Sequence, residues 1–147
     1  MSTVGEAVTQ RTPPADAEAI EVSVGLAAER GGDLTQRVYA RLFAEQPEMQ
    51  ALFWRDRNDS IKGEMLARVF EALFDFIGER RYADNMIQCE VVTHEGYDVP
   101  RAVFATFFNV VAAEIRALCA DDWTPAIDAA WRRTLADLDY YVKHPAA

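Results

Sequence analysis

Apolar residues recur along most of this chain at three- and four-residue steps, the spacing of helices buried along one stripe. Ile20, Val24 and Ala27 or Ala28 mark one face of a first helix from Ala17 to Glu29, which Gly31-Gly32 stops. Asp33 stands where it can cap a second, in which Leu34, Val38 and Leu42 follow at four-residue steps beside Tyr39 and Phe43. Pro47 restarts the chain as the first turn of a short helix carrying Met49, Leu52 and Phe53, and the polar run Arg55 to Ser60 reads as a loop. Ser60 opens the broadest stripe, Met65, Leu66, Val69, Phe70, Leu73, Phe74 and Ile77, closed by Gly78. A helix from Asp84 to about His94 puts Ile87, Val91 and His94 on one face before Gly96 breaks it. Asp98 and Pro100 introduce another, with Val103, Phe104, Phe107, Phe108, Val111, Ile115 and Leu118. Thr124-Pro125 joins a capping residue to a proline at the first helical position, ahead of Ile127, Trp131, Thr134, Leu135, Leu138 and Val142. Seven or so helices without strand alternation predict an all-α domain. Periodicity alone does not choose among helical architectures.

Length and composition narrow the picture. At 147 residues, half of them apolar, the chain fits one domain able to bury a core. Residues 1–16, with Pro13-Pro14, read as a disordered tail, residues 17–143 as the domain and residues 144–147 as a short end that includes an exposed His144. No run approaches the ~20 uninterrupted apolar residues of a membrane span, and no secretion signal is evident, so a cytoplasmic protein without a membrane partner is expected. A net charge of −9 argues against nucleic acid. The basic pairs Arg80-Arg81 and Arg132-Arg133 read as solvated helix surface. Cys89 and Cys119 read as small buried apolar groups, and neither lies in the C-x-x-C-H pattern that attaches haem covalently.

His94 is the residue with chemistry. It is one of two histidines, it ends a helix on that helix's apolar face, and the chain turns sharply after it through Gly96 and Val99-Pro100. A neutral imidazole so placed either sits satisfied in the core or ligates a metal while its other nitrogen bonds a backbone carbonyl. A flat apolar cofactor needs aromatic and aliphatic walls, which Phe53, Leu66, Phe70, Val99, Phe104 and Phe108 can supply, each with plain core packing as its alternative. No hydrolase, nucleotide-binding or zinc-protease motif occurs.

Three stretches carry a resemblance. VYARLFAEQPEMQALF (Val38 to Phe53) is similar to the corresponding segment of single-domain bacterial haemoglobins and of the haem domain of flavohaemoglobins, in the globin superfamily. THEGYDVPRAVF (Thr93 to Phe104) resembles their proximal region, and the Asp128 to Trp131 stretch resembles the D-A-W of their last helix. The resemblance covers roughly residues 18–142 and implies a globin-like fold of seven to eight helices around a pocket for haem b. It makes His94 the proximal iron ligand, Phe53 the wedge against the porphyrin, Tyr39 the distal hydroxyl toward a bound ligand and Leu66 an apolar distal residue. The ligands it implies are dioxygen, nitric oxide or carbon monoxide.

Lys62 departs from the family, which usually has glutamine there. Its ammonium either snorkels to solvent or a haem propionate, turns inward toward bound dioxygen, or ligates iron as a neutral amine, a role for which Met65 is a weaker candidate. The proximal side departs too: Phe104 replaces the family's tyrosine, and no glutamate matches near the chain end. Reversible dioxygen binding is therefore the expected activity. The alternatives are nitric oxide dioxygenation with a separate reductase, gas sensing, and a haem-free globin-like interaction domain. An iron–histidine stretch in the resonance Raman spectrum well below the peroxidase range is the expected outcome; a peroxidase-like frequency would contradict this reading of the proximal side.

Overall fold

The computed structural model describes residues 10–144. Among these, six α-helices and two 3-10 segments follow one another with no strand. They are α1 (Pro14–Gly31), α2 (Thr35–Glu45), a 3-10 helix (Pro47–Phe53), α3 (Ser60–Ile77), α4 (Ala83–Glu95), α5 (Arg101–Cys119), a 3-10 turn (Ala120–Asp122) and α6 (Pro125–Lys143). The expected all-α architecture is what forms. Helix α5 is central, packing on α1, α2, α4 and α6, while α1 lies across α6 and α3 pairs with α4. The core gathers Ile20, Val38, Leu73, Phe76, Val91, Val110, Val111, Ile115, Leu138 and Val142, all essentially inaccessible to solvent.

Helix boundaries follow local chemistry. Thr124 accepts from the Ile127 amide at 3.2 Å, so the predicted cap of α6 is in place. Asp33 takes both the Thr35 amide (2.9 Å) and its hydroxyl (2.6 Å) at the start of α2. The start of α4 is held from outside: Asp75 at the end of α3 accepts from the amides of Arg81, Tyr82 and Ala83. Burial pushes the Asp75 carboxyl up, but those donors outweigh it and leave its pKa lowered.

The N-terminal boundary expected from sequence needs correction. Residues 1–9 of the expected tail lie outside the described residues, but α1 begins at Pro14, a proline at the first helical position, rather than at Ala17. Arg11 donates to the Gly78 carbonyl at 2.8 Å, and Asp16 is buried against Arg133, which grips it through two hydrogen bonds of 2.7 and 2.8 Å. That grip lowers the Asp16 pKa. Arg133 is therefore a staple between the first and last helices, not idle surface. Arg80 likewise covers the Phe76 ring at 3.7 Å. At the other end, residues 145–147 of the expected short tail also lie outside the described residues, and His144 is exposed, stacked on Tyr140.

Two further expectations change. Cys119 is buried but Cys89 is exposed, and both are free thiols. The segment Arg101–Asp122 is long and apolar enough to cross a membrane by length and composition alone, contrary to the expectation that no stretch is. The fold explains its character, because α5 is enclosed by four other helices and faces the cavity described below. It also carries Glu114 in its middle, buried against Arg37 and Arg41 of α2.

The α1–α5–α6 junction is tied by one buried knot: Trp131 Nε1 donates to Ser23 Oγ (2.9 Å), which donates to the Ile20 carbonyl (2.7 Å), while Cys119 Sγ lies 3.4 Å from the Ser23 carbonyl. Ser23→Ala strands the indole N–H in the core and is expected to cost about 1–3 kcal/mol. Urea unfolding checks it, and an unchanged midpoint would refute the assignment.

Candidate functional site

Helices α2 and α3 with the intervening 3-10 helix form one wall of a cavity of about 860 Å³, and α4 and α5 form the other. That volume lies within the roughly 300–1,000 Å³ typical of small-molecule and cofactor sites. The first wall presents Tyr39 and Leu42, then Met49 and Phe53, then Ile61, Met65, Val69 and Ala72. The second presents Met86, Ile87, Thr93 and His94, the turn from Gly96 to Val99, and Val103, Phe104, Phe107 and Phe108. All three methionines beyond Met1 line this space. Trp54, Arg55, Arg68 and Tyr97 are among its exposed lining residues.

His94 is fixed by its own helix. Its Nδ1 lies 2.8 Å from the Glu90 carbonyl, an acceptor only, so Nδ1 carries the proton and Nε2 keeps its lone pair. The His94 carbonyl in turn accepts from the Tyr97 and Val99 amides at 2.9 Å each, which folds the turn after α4 and sets Val99 in the cavity wall. Asp98, in the left-handed conformation at φ 67°, makes that turn possible. Phe104 meets the imidazole edge-on with ring centroids 5.0 Å apart and offers it no hydrogen bond. The Glu90 carboxylate stands 3.6 Å from Nδ1, beyond hydrogen-bond reach. Glu90 went unrecognised in the sequence, although its four-residue spacing from His94 was the available signal.

Tyr39 is the polar counterpart on the other wall. It is 2% exposed, and its hydroxyl has no hydrogen-bond partner among the described residues. Phe53, Phe107 and Phe43 surround the ring at centroid distances of 5.4, 5.6 and 5.9 Å. Burial first, and then the nearby Asp56 charge, raise its pKa, so the phenol stays protonated and keeps a proton to donate.

The structure thus brings Tyr39, Phe53, His94, Val99, Phe104 and Phe108 to one cavity, and leaves three of the singled-out residues off its lining. Leu66 is buried in the core, and Phe70 stacks on Phe74 at 6.5 Å. Lys62 points to the loop before α3, where its ammonium meets Asp56 at 3.0 Å and Asp59 at 3.2 Å. Burial alone would lower the Lys62 pKa, but these two carboxylates raise it, so the amine is held charged. The α3 residues on the lining are instead Ile61, Met65, Arg68, Val69 and Ala72, one register step away.

What the cavity fits can be read from its donors. Among the described residues no group of three or more His, Cys, Asp or Glu side chains could hold a bare metal ion. A lone imidazole with a free lone pair suits an iron whose other positions a planar macrocycle already fills. The apolar walls suit the faces of such a macrocycle, and an unpartnered buried hydroxyl awaits an acceptor that the protein does not supply. Arg55 and Arg68 have no carboxylate partner among the described residues, which suits acidic groups on the cofactor's edge.

Comparison with known proteins agrees. No curated protein and no solved structure matches the chain significantly. The family model described as Globin matches residues 36–140, well over half the chain and every element that lines the cavity. This chain belongs to the globin family.

Proposed function

We propose that the cavity binds one b-type haem through His94 and that the space beneath Tyr39 reversibly binds dioxygen and other diatomic gases. Haem-based gas binding is the general activity of the family, and the observation that carries the finer reading is the Tyr39 hydroxyl: buried, unpartnered among the described residues, and on a side chain that lines the same cavity as His94. His94 would hold the haem iron, and the haem, when bound, would supply the metal at which a gas binds. Phe53, Val99, Phe104 and Phe108 exclude water from its faces, and Arg55 and Arg68 would hold its propionates. On the α2–α3 wall Tyr39 presents a buried hydroxyl, and its hydrogen bond would favour dioxygen, whose outer atom gathers negative charge, over carbon monoxide.

The proximal geometry favours storage or delivery of dioxygen over nitric oxide dioxygenation. Nδ1 is bonded to a backbone carbonyl at 2.8 Å, and the Glu90 carboxylate, at 3.6 Å, is beyond hydrogen-bond reach, so a neutral acceptor holds the ring.

Added hemin should give a Soret band at one equivalent in the purified protein and a weaker, shifted band in His94→Ala; a His94→Ala spectrum identical to the parent would remove that residue from the iron. Tyr39→Phe separates stability from function. Deleting an unsatisfied buried hydroxyl should stabilise the haem-free protein by about 1 kcal/mol in urea unfolding, while losing the gas-side hydrogen bond should speed dioxygen dissociation about tenfold or more. Equal rates in stopped-flow measurements would exclude Tyr39 as the donor.

A further inference from the structure

We infer that Glu114 is a positioning residue for Tyr39: by gripping Arg37 and Arg41 on one flank of α2, it fixes the rotation of that helix and so the place of the hydroxyl carried on the other flank. The consequence for a ligand rests on the gas-binding reading above, and the residue acts without reaching the cavity.

No hydrogen bond holds the Tyr39 hydroxyl in place, since that group has no partner among the described residues. Its position follows instead from the packing of the ring and from the setting of α2. An α-helix advances by about 100° per residue. Arg37 and Arg41 therefore share one side of α2, while Tyr39, two positions from each, falls on the other flank. Val38 and Leu42 lie between the two flanks and are buried.

Both flanks meet α5. On one, Phe107 packs on the Tyr39 ring with centroids 5.6 Å apart. On the other, Arg41 Nε donates to Glu114 Oε2, and Arg37 Nε stands 3.5 Å from Oε1. Phe107 and Glu114 are two turns apart on the same face of α5, a separation of about 10 Å, which is about the diameter of a helix with its side chains. Helix α2 thus lies across α5 with one contact at each flank, and a roll toward either is resisted at the other. The Glu114 carboxylate is buried, and both guanidiniums reach it from the surface. Such a pair adds little net stability over apolar packing, but its directed bonds select one orientation. Arg37, Arg41 and Glu114 all stay off the cavity lining, so whatever they do there they do through α2. A roll of about 10° would carry an atom about 5–6 Å from the helix axis through about 1 Å. That is enough to take a hydroxyl out of hydrogen-bond range.

Two readouts test this, one without haem and one with it. In the haem-free protein made with isotope-labelled tyrosine, the Tyr39 ring resonance is identified by its loss in Tyr39→Phe and senses the three phenylalanines around it. Glu114→Gln removes the charge and keeps the shape, so it should move that resonance and leave those of Tyr82 and Tyr140 in place. In the haem-loaded protein the same variant should speed dioxygen dissociation to near the Tyr39→Phe rate, about tenfold above the parent, and raise the C–O stretch of the carbon monoxide complex. In the Tyr39→Phe background Glu114→Gln should change the rate less than about twofold, because the bond it disturbs is already gone. A Tyr39 resonance that stays put, or one matched by equal shifts at Tyr82 and Tyr140, overturns the inference. So does an acceleration that persists in full without the Tyr39 hydroxyl. Should Glu114→Gln lack the helical circular dichroism of the parent, Arg41→Met carries the same expectations and the same refutations. A parent protein that takes up no hemin, or a Tyr39→Phe rate equal to the parental one, is a separate failure of the gas-binding reading. The haem-free resonance then still decides whether Glu114 sets Tyr39.

Discussion

One hydrogen bond, from His94 Nδ1 to the Glu90 carbonyl a turn earlier, decides which nitrogen of the cavity's single imidazole is available. The bond is made within α4, so the orientation of the ring follows from the helix itself and not from a partner across the molecule. The same residue's carbonyl then nucleates the turn that delivers Val99 and α5. Backbone and side chain of one histidine thus place both the remaining ring nitrogen and much of the wall behind it. Because the acceptor is a neutral carbonyl rather than a carboxylate, the ring is held firmly without being made strongly electron-donating.

Much of this was legible along the chain, for reasons that also mark where reading failed. His94 at a helix end before a glycine, and Phe104 and Phe108 on the next helix, could be placed from helices read as one apolar stripe, while Tyr39 and Phe53, flanking Pro47, were placed by the family resemblance of Val38 to Phe53. Helix α3 has two such stripes. Leu66, Leu73, Phe76 and Ile77 serve the core, while Ile61, Met65, Val69 and Ala72 serve the cavity. A helix apolar on both sides gives the same periodic signal for either orientation, so periodicity named Leu66 and Phe70 where the cavity uses Met65 and Val69. For Lys62 the sequence left outward and inward orientations open. Its spacing continues the apolar stripe, but the partners that turn it outward, Asp56 and Asp59, lie in a loop with no period to read.

Outside the cavity, the same limit applies to charges. Composition describes an acidic surface, yet the acidic residues that matter most mechanically are few and specific. Asp16 fastens the first helix to the last, Glu114 ties α2 to α5, and Asp75 organises the entry to α4. Asp16 and Glu114 join elements distant in sequence, so neither pairing is visible in a local window. Together they clamp the helices around a space that apolar side chains alone would tend to close.

The three thioethers of Met49, Met65 and Met86 have a consequence for selectivity. Unbranched sulfur-containing chains conform to whatever lies against them and carry no dipole strong enough to orient a small polar guest. With walls this compliant, molecular shape discriminates poorly among candidate occupants. Discrimination is left to the one buried phenol, so under the proposed reading the chain would sort diatomics by where their electrons accumulate rather than by how snugly they fit.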